Sequence, residues 1–385
     1  MIDTKVSVVE SLEAENLREM LNASGPCITV LLPAYRPGAQ AKSMAAILKT
    51  NLQAASRELA ARRVGEPTIA QLLDPLEKLT RDDDFLAGSR WGRAIFRSSD
   101  RMVQFQLIGP INQALTVAAG FNLRPILPEL HIPATFYVLK ISSKRVKLFR
   151  CSHLQPESMS LPKGVPETLE QALEFKPPDH DLENRSAAGA SIGALRGVRF
   201  GTGSGRETQQ TYLADFYKAV DRGVRERLNG TNAPLVLAGV HEDSSIYAMA
   251  NTYPNLLSNH LPGEPAGATE ELSSEAVEQA YWIIRSDFVE KSKARLMEMK
   301  ERLSPARFSV HLEDVLRAAM DGRVDSLYID ETARRMGVVA GRANWGEEDL
   351  LNRAAIETIL HGGSVFSLPT DHMPDGMPVA AIFRW

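Results

Sequence analysis

Cysteine is scarce, aromatic residues make up only 6% of 385 positions, and the chain has neither an excess of positive charge nor a long apolar run. The two cysteines, Cys27 and Cys151, lie far apart beside strand-like runs, where a buried thiol behaves as a small hydrophobe. No disulfide is therefore expected, and the cytoplasm is the expected compartment. No window approaches the roughly 20 consecutive apolar residues that a bilayer span requires, so a membrane is not an expected partner. The opening residues MIDTKVSVVESLEAENLREML read as an amphipathic helix with acidic residues, not as a signal peptide. A formal net charge of −4 excludes general affinity for nucleic acid, which comes from clustered Lys and Arg on phosphates. Any RNA contact must be local, and DNA is not an expected partner. What is present is ordinary globular material, 44% hydrophobic and 24% charged, in a chain long enough for two or three cores.

Residues 1 to about 127 read as one α/β unit. After the opening helix, Cys27-Ile28-Thr29-Val30-Leu31-Leu32-Pro33 is an apolar run stopped by proline, the pattern of a buried strand. Over 44–62, Ile47, Leu48, Leu52, Ala55 and Leu59 recur at helical spacing, with Lys49, Gln53, Arg57 and Glu58 on the other face. Residues 91–96 and 102–107 form a strand pair across the polar turn Ser98-Ser99-Asp100. Residues 122–128 are a proline-punctuated linker.

A second unit opens at Pro133 with two strand-like runs, 135–142 and 145–150, around a hairpin at Ser142-Ser143-Lys144. From about 156 to 205 periodicity is lost and Gly, Ser, Pro and Arg accumulate; a loop that long is functional or disordered. Helical spacing returns over 209–228, followed by a strand at 235–240 and a boundary at 262–267. The third unit alternates helices at 274–303, 312–320 and 347–360 with strands at 324–329, 364–368 and 379–385, the order of a layered α/β/α sandwich.

Few motifs carry chemistry. Arg185, Arg196, Arg199 and Arg206 stand among small residues, a pattern that threads a narrow RNA channel with guanidinium groups on phosphates, or equally a solvent loop with incidental arginines. Gly201-Thr202-Gly203-Ser204-Gly205-Arg206 lacks both the Gly-Lys-Ser/Thr ending of a phosphate loop and the spacing of a dinucleotide fingerprint, so no cofactor is implied. His153, His180, His241, His260, His311, His361 and His372 show no paired ligand spacing and there is no Cys-x-x-Cys; their default role is structural and no metal is expected. Asp82-Asp83-Asp84 reads as a solvated turn, and Tyr35-Arg36-Pro37-Gly38 with Lys42 as a helix-entry loop.

The segment Val310-His311-Leu312-Glu313-Asp314-Val315-Leu316-Arg317-Ala318-Ala319-Met320-Asp321-Gly322-Arg323-Val324-Asp325-Ser326-Leu327-Tyr328-Ile329 is a helix, a tight Asp-Gly turn and a strand. With Gly363-Ser364-Val365-Phe366-Ser367-Leu368-Pro369 and Val379-Ala380-Ala381-Ile382-Phe383-Arg384-Trp385, it resembles the C-terminal domain of the archaeal and eukaryotic class I release factors and pelota. The hairpin, the glycine-rich stretch, the helix and the strand of the second unit come in the order of that family's central domain. Val30-Leu31-Leu32-Pro33 and Gly92-Arg93-Ala94-Ile95-Phe96 extend the likeness to the first unit. The whole chain resembles the bacterial archaeo-eukaryotic release-factor-like proteins, in particular their third branch.

The resemblance implies an α/β chain of three domains: an N-terminal α/β domain (1–130), a central ribonuclease H-like domain with the long Gly/Arg loop (131–264) and a C-terminal α/β/α sandwich (265–385). It implies a translation-associated factor for rescue, quality control or hibernation, with the ribosome and its RNA or tRNA site as partner and a translational GTPase at the last domain. Family release factors hydrolyse peptidyl-tRNA through Gly-Gly-Gln, and no such tripeptide occurs here; Gln209 and Gln210 only follow a glycine-rich run. No catalytic residue is assigned, and the RNA-contact set is Arg185, Arg196, Arg199, Gly201, Gly203, Gly205, Arg206 and Gln209. Two alternatives stay open: an ester hydrolase placing water with the 197–210 loop, and an RNA- or protein-binding scaffold independent of ribosomes. Nuclease chemistry needs clustered carboxylates for two metals, whereas the first strand of the second unit offers Lys140 and no Asp or Glu.

Overall fold

The computed structural model describes residues 5–8, 17, 21, 25–35, 39–86, 91–109, 111–152, 154–175, 204–263, 271–338 and 345–385. Their contacts gather into two compact units, Met1–Ile132 with Val289–Trp385, and Pro133–Phe288.

The N-terminal part of the first unit holds β1 (Lys5–Val8), β2 (Cys27–Leu32), α1 (Ala39–Ala61), α2 (Glu66–Leu79), β3 (Gly92–Arg97), β4 (Arg101–Leu107) and β5 (Ala114–Ala118). They build one sheet in the order β1-β4-β3-β2-β5, with β1 parallel to β4 and the other neighbours antiparallel. Alternation along the strands sorts the side chains. Ile28, Val30, Leu32, Ile95 and Val117 pack with Leu48, Leu52 and Leu59 of α1 and Leu72 and Leu76 of α2. Cys27, Leu31, Ala94, Phe96 and Phe105 face the other way, toward Phe121 and Leu123. Buried Arg97 ties sheet to helix, donating from Nε to the Leu72 carbonyl at 3.1 Å and from Nη2 to the Gln71 carbonyl at 2.6 Å.

One expectation is corrected here. Lys5–Val8 is a strand registered against Arg101–Gln104, not part of a helix. The period-two alternation of Lys5-Val6-Ser7-Val8, with two β-branched residues, wins over the helical spacing read across the longer window.

The second unit contains β6 (Thr135–Ile141), β7 (Val146–Ser152), β8 (Gln155–Met159), α3 (Leu169–Phe175), α4 (Ser204–Arg227), β9 (Leu235–Gly239), α5 (His241–Ala250) and β10 (Leu261–Pro262). It also holds the first part of α6 (Ser274–Arg302), up to Phe288. β6, β7 and β8 form an antiparallel meander, β9 runs parallel to β6, and β10 parallel to β9, giving the order β10-β9-β6-β7-β8. This is the sheet expected of a ribonuclease H-like domain. The hairpin turns at Ser142-Ser143-Lys144 as read, while β8 lies in the stretch read as featureless. On α4, Phe216, Tyr217, Val220 and Val224 are buried against Tyr137, Leu139, Leu148 and Leu237 of the sheet.

The rest of α6 belongs to the first unit, with β11 (Phe308–Ser309), α7 (Leu312–Met320), β12 (Val324–Asp330), β13 (Met336–Gly337), β14 (Glu348–Asp349), α8 (Leu350–Leu360), β15 (Ser364–Leu368) and β16 (Val379–Phe383). The main sheet runs β11-β16-β12-β15, antiparallel except for the parallel pair β12 and β15. Ala380, Ile382 and Tyr328 meet Val289 and Leu296 of α6. Val379, Ala381, Leu327 and Ile329 meet Val315 and Ala319 of α7 and Leu351 and Ala355 of α8. The period of two along β16 thus produces the α/β/α layering. The last helix starts at Leu350, where the Asp349 carboxylate accepts from the Leu351 N–H at 3.2 Å, rather than at 347.

Residues 121–131 join the first and last sheets within this unit. Arg124 Nη2 donates to the carbonyls of Asp330, Glu331 and Ala333 at 2.6, 3.1 and 2.7 Å. His131 stacks on Phe366 with ring centroids 4.6 Å apart, and its Nε2 lies 2.8 Å from the Val365 carbonyl.

Candidate functional site

Arg185, Arg196, Arg199, Gly201 and Gly203 lie outside the described residues. Gly205, Arg206 and Gln209 do not belong to a loop: they occupy the first turns of α4, which begins at Ser204. The signal for this was in the chain, since Ser204-Gly205-Arg206-Glu207 has the S-x-x-E spacing of a helix start. The glycines on either side masked it. In sequence, residues 176–203 connect α3 to α4, two helices packed on each other.

In open α/β sheets, ligands bind beyond the carboxyl ends of parallel strands. In the second unit that edge is formed by the hairpin turn after β6, by Val240 after β9 and by Gly263 after β10. The chain is crowded there; a Cβ on Gly263 would lie 2.6 Å from the Val240 nitrogen, so only glycine fits. His241 opens α5 and its ring stacks on His260, centroids 5.5 Å apart and planes 29° apart. Beside them Val240 is 52% exposed, and Met249 further along α5 is 87% exposed. This imidazole pair escapes a sequence reading because His241 follows β9 and His260 precedes β10, with no ligand spacing to mark them.

Beneath this edge the polar groups are spent on holding it. Asp243, buried in the first turn of α5, has its carboxyl raised by burial. Asp221, also buried, accepts from the Thr252 N–H at 3.0 Å and the Thr252 hydroxyl at 2.7 Å, tying α4 to the chain after α5. Burial pushes the Tyr247 phenol far up, with the Asp221 charge adding to it.

The edge carries imidazole, carboxylate and apolar groups, and among the described residues no nucleophile is held against a base there. Among the described residues no group of three or more His, Cys, Asp or Glu is arranged to hold a metal ion. On β6, Lys140 is registered opposite Lys147 of β7, so the strand pair presents ammonium groups where two-metal chemistry needs carboxylates. Cys27 and Cys151 are both buried and neither is in a disulfide. No described helix is long and apolar enough to cross a membrane.

Residues 135–323 match the model of bacterial archaeo-eukaryotic release factor family 3, a stretch running from β6 through α7. No curated protein matches the chain. Among solved structures, the archaeal translation termination factor aRF1 is 13% identical over 97% of this chain and 99% of its own, with a TM-score of 0.24. Pelota from Archaeoglobus fulgidus is 12% identical over 76% and 79%, with a TM-score of 0.37. Dom34 from S. cerevisiae, described as a translation termination-like factor that interacts with Hbs1, is 11% identical over 74% of both chains, with a TM-score of 0.33. No residue role is carried over from likenesses this distant. Through residues 135–323, which span the ribonuclease H-like unit and the start of the last sheet, the chain matches bacterial archaeo-eukaryotic release factor family 3 and is in that sense release-factor-like and translation-related.

Proposed function

We propose that this protein is a ribosome-binding factor acting in rescue, quality control or hibernation, with the segment 176–203 carrying Arg185, Arg196 and Arg199 onto ribosomal RNA. The observation behind this is the insertion of that Gly- and Arg-rich segment between α3 and α4 of a ribonuclease H-like sheet, inside the stretch matched by the family. With a net charge of −4, the chain needs such a local cationic element if it is to meet phosphate at all. Arg206, in the first turn of α4, is counted with these arginines. In this reading residues 1–130, 131–264 and 265–385 act as three domains, and the last is the docking end for a translational GTPase.

Peptidyl-tRNA hydrolysis is not part of the proposal. Gly-Gly-Gln is absent, and Gln209 sits within α4, where the backbone lacks the freedom that glycines give a tripeptide at a loop tip. The test is sedimentation of lysates from stressed and unstressed cells through sucrose. The protein is expected in ribosomal fractions under at least one condition, and its confinement to the top of the gradient under both contradicts the reading.

A further inference from the structure

Among the described residues the last sheet ends in an unpaired edge beside a cleft of about 440 Å3 lined by Phe308, Val310, His311, Asp314, Arg317 and Arg323, among others. β11 is the edge strand. The Phe383 N–H donates to the Arg307 carbonyl at 2.9 Å, and backbone groups alternate in direction along an antiparallel strand. The N–H and carbonyl of Phe308 therefore point away from β16, toward the open side.

The side chains around that edge have two characters. Phe308 and Val310 supply half-buried apolar surface. Arg317 is exposed on α7, and Arg323 lies with its guanidinium 5.4 Å from the Phe383 ring centroid. Arg323 Nη2 donates to the Trp385 main-chain oxygen at 3.2 Å, while its buried Nε has no protein partner. Among the described residues that line the cleft, Asp314 is the one acidic side chain beside these two permanent cations and His311. Trp385, next to Arg323 in space, is 66% exposed, and Trp and Arg are the residue types that anchor interfaces.

We propose that this cleft receives an extended acidic segment of a partner protein, which adds a strand beside β11 and sets its carboxylates on Arg317 and Arg323. Backbone pairing with Phe308 supplies sequence-independent affinity, alternate side chains of the segment enter the apolar floor, and the charge excess selects Asp and Glu. The inference uses only the geometry of the last sheet and stands whether or not the protein binds ribosomes.

The test is selection of displayed ten-residue peptides on the full-length protein, then fluorescence anisotropy with the strongest recovered sequence. Acidic peptides with alternating apolar residues are expected. Arg317→Glu should weaken binding about tenfold or more and make it less sensitive to salt. Because Arg317 is exposed, the variant should keep the wild-type melting temperature, which separates lost binding from lost fold. N-methylation of alternate peptide amides should abolish binding in one register and spare it in the other, as strand pairing requires. Recovery of no peptide, recovery of peptides without acidic bias, or unchanged binding by Arg317→Glu overturns the proposal.

Discussion

The side-chain amide of Asn352 bridges the backbone on either side of Asn122: its Oδ1 accepts from the Leu123 N–H at 2.8 Å and its Nδ2 donates to the Phe121 carbonyl at 2.9 Å. Both bonds are buried, and they join α8 to the chain that leaves the first sheet. Asn352 does for residues 121–123 what a neighbouring strand would do, satisfying one donor and one acceptor that water cannot reach.

Replacing Asn352 by Ala therefore strands two buried backbone groups. At about 1–3 kcal/mol for each unsatisfied group, Asn352→Ala should lose roughly 2–6 kcal/mol, and Asn352→Leu should not recover it. Denaturant unfolding followed by Trp fluorescence measures this. A loss under about 0.5 kcal/mol would show that water reaches the site and that the bridge is dispensable.

Two buried aspartates predict opposite pH dependences. At Asp330 burial works to raise the carboxyl, but the Thr332 N–H, the Thr332 hydroxyl and the Ala333 N–H, at 2.7, 2.9 and 3.0 Å, outweigh it and hold it below the ordinary value. A depressed group contributes stability above its unfolded-state pKa and loses it as pH falls through the folded-state pKa. Asp330→Asn should therefore destabilise at pH 7 and have little effect in strong acid. Asp243 is held above its ordinary value, so its contribution is full below that value and is lost as pH rises through the folded-state pKa. Asp243→Asn should remove that loss and leave the second unit at least as stable as wild type at pH 7. Hydrogen exchange of β12 and α5 amides at pH 4 and pH 7 reads both; the same direction of change in the two variants contradicts the assignment.

Both cysteines should be silent in the folded protein. Burial pushes the Cys151 thiol up to about 12, and Cys27 is fully buried. Since the thiolate is the nucleophile, a disulfide-exchange reagent at pH 8 should label neither in the native state and both after denaturation. Rapid stoichiometric labelling of native protein contradicts this.

Long periodic segments were legible in the residues, and short elements were not. The stripe of Phe216, Val220 and Val224 and the alternation through Val379-Ala380-Ala381-Ile382-Phe383 are strong because each repeat adds another side chain to one face. α2 was hidden by Pro75, which lies inside the helix and reads as a breaker. β10 has two residues and no period of its own; its parallel pairing with β9 comes from the fold, not from propensity. At the candidate site the arm arginines were visible as composition. The stack of His241 on His260 was not, because only the sheet brings those two residues together.

The most direct test of the central claim is co-pelleting of the purified protein with purified bacterial ribosomes at graded salt, comparing wild type with a variant carrying Arg185, Arg196, Arg199 and Arg206 all changed to Ser. The account predicts that wild type pellets with ribosomes, that the variant loses most of this binding while keeping its fold, and that the salt dependence of what remains is shallower. Equal pelleting of the two proteins, with the same salt dependence, contradicts it.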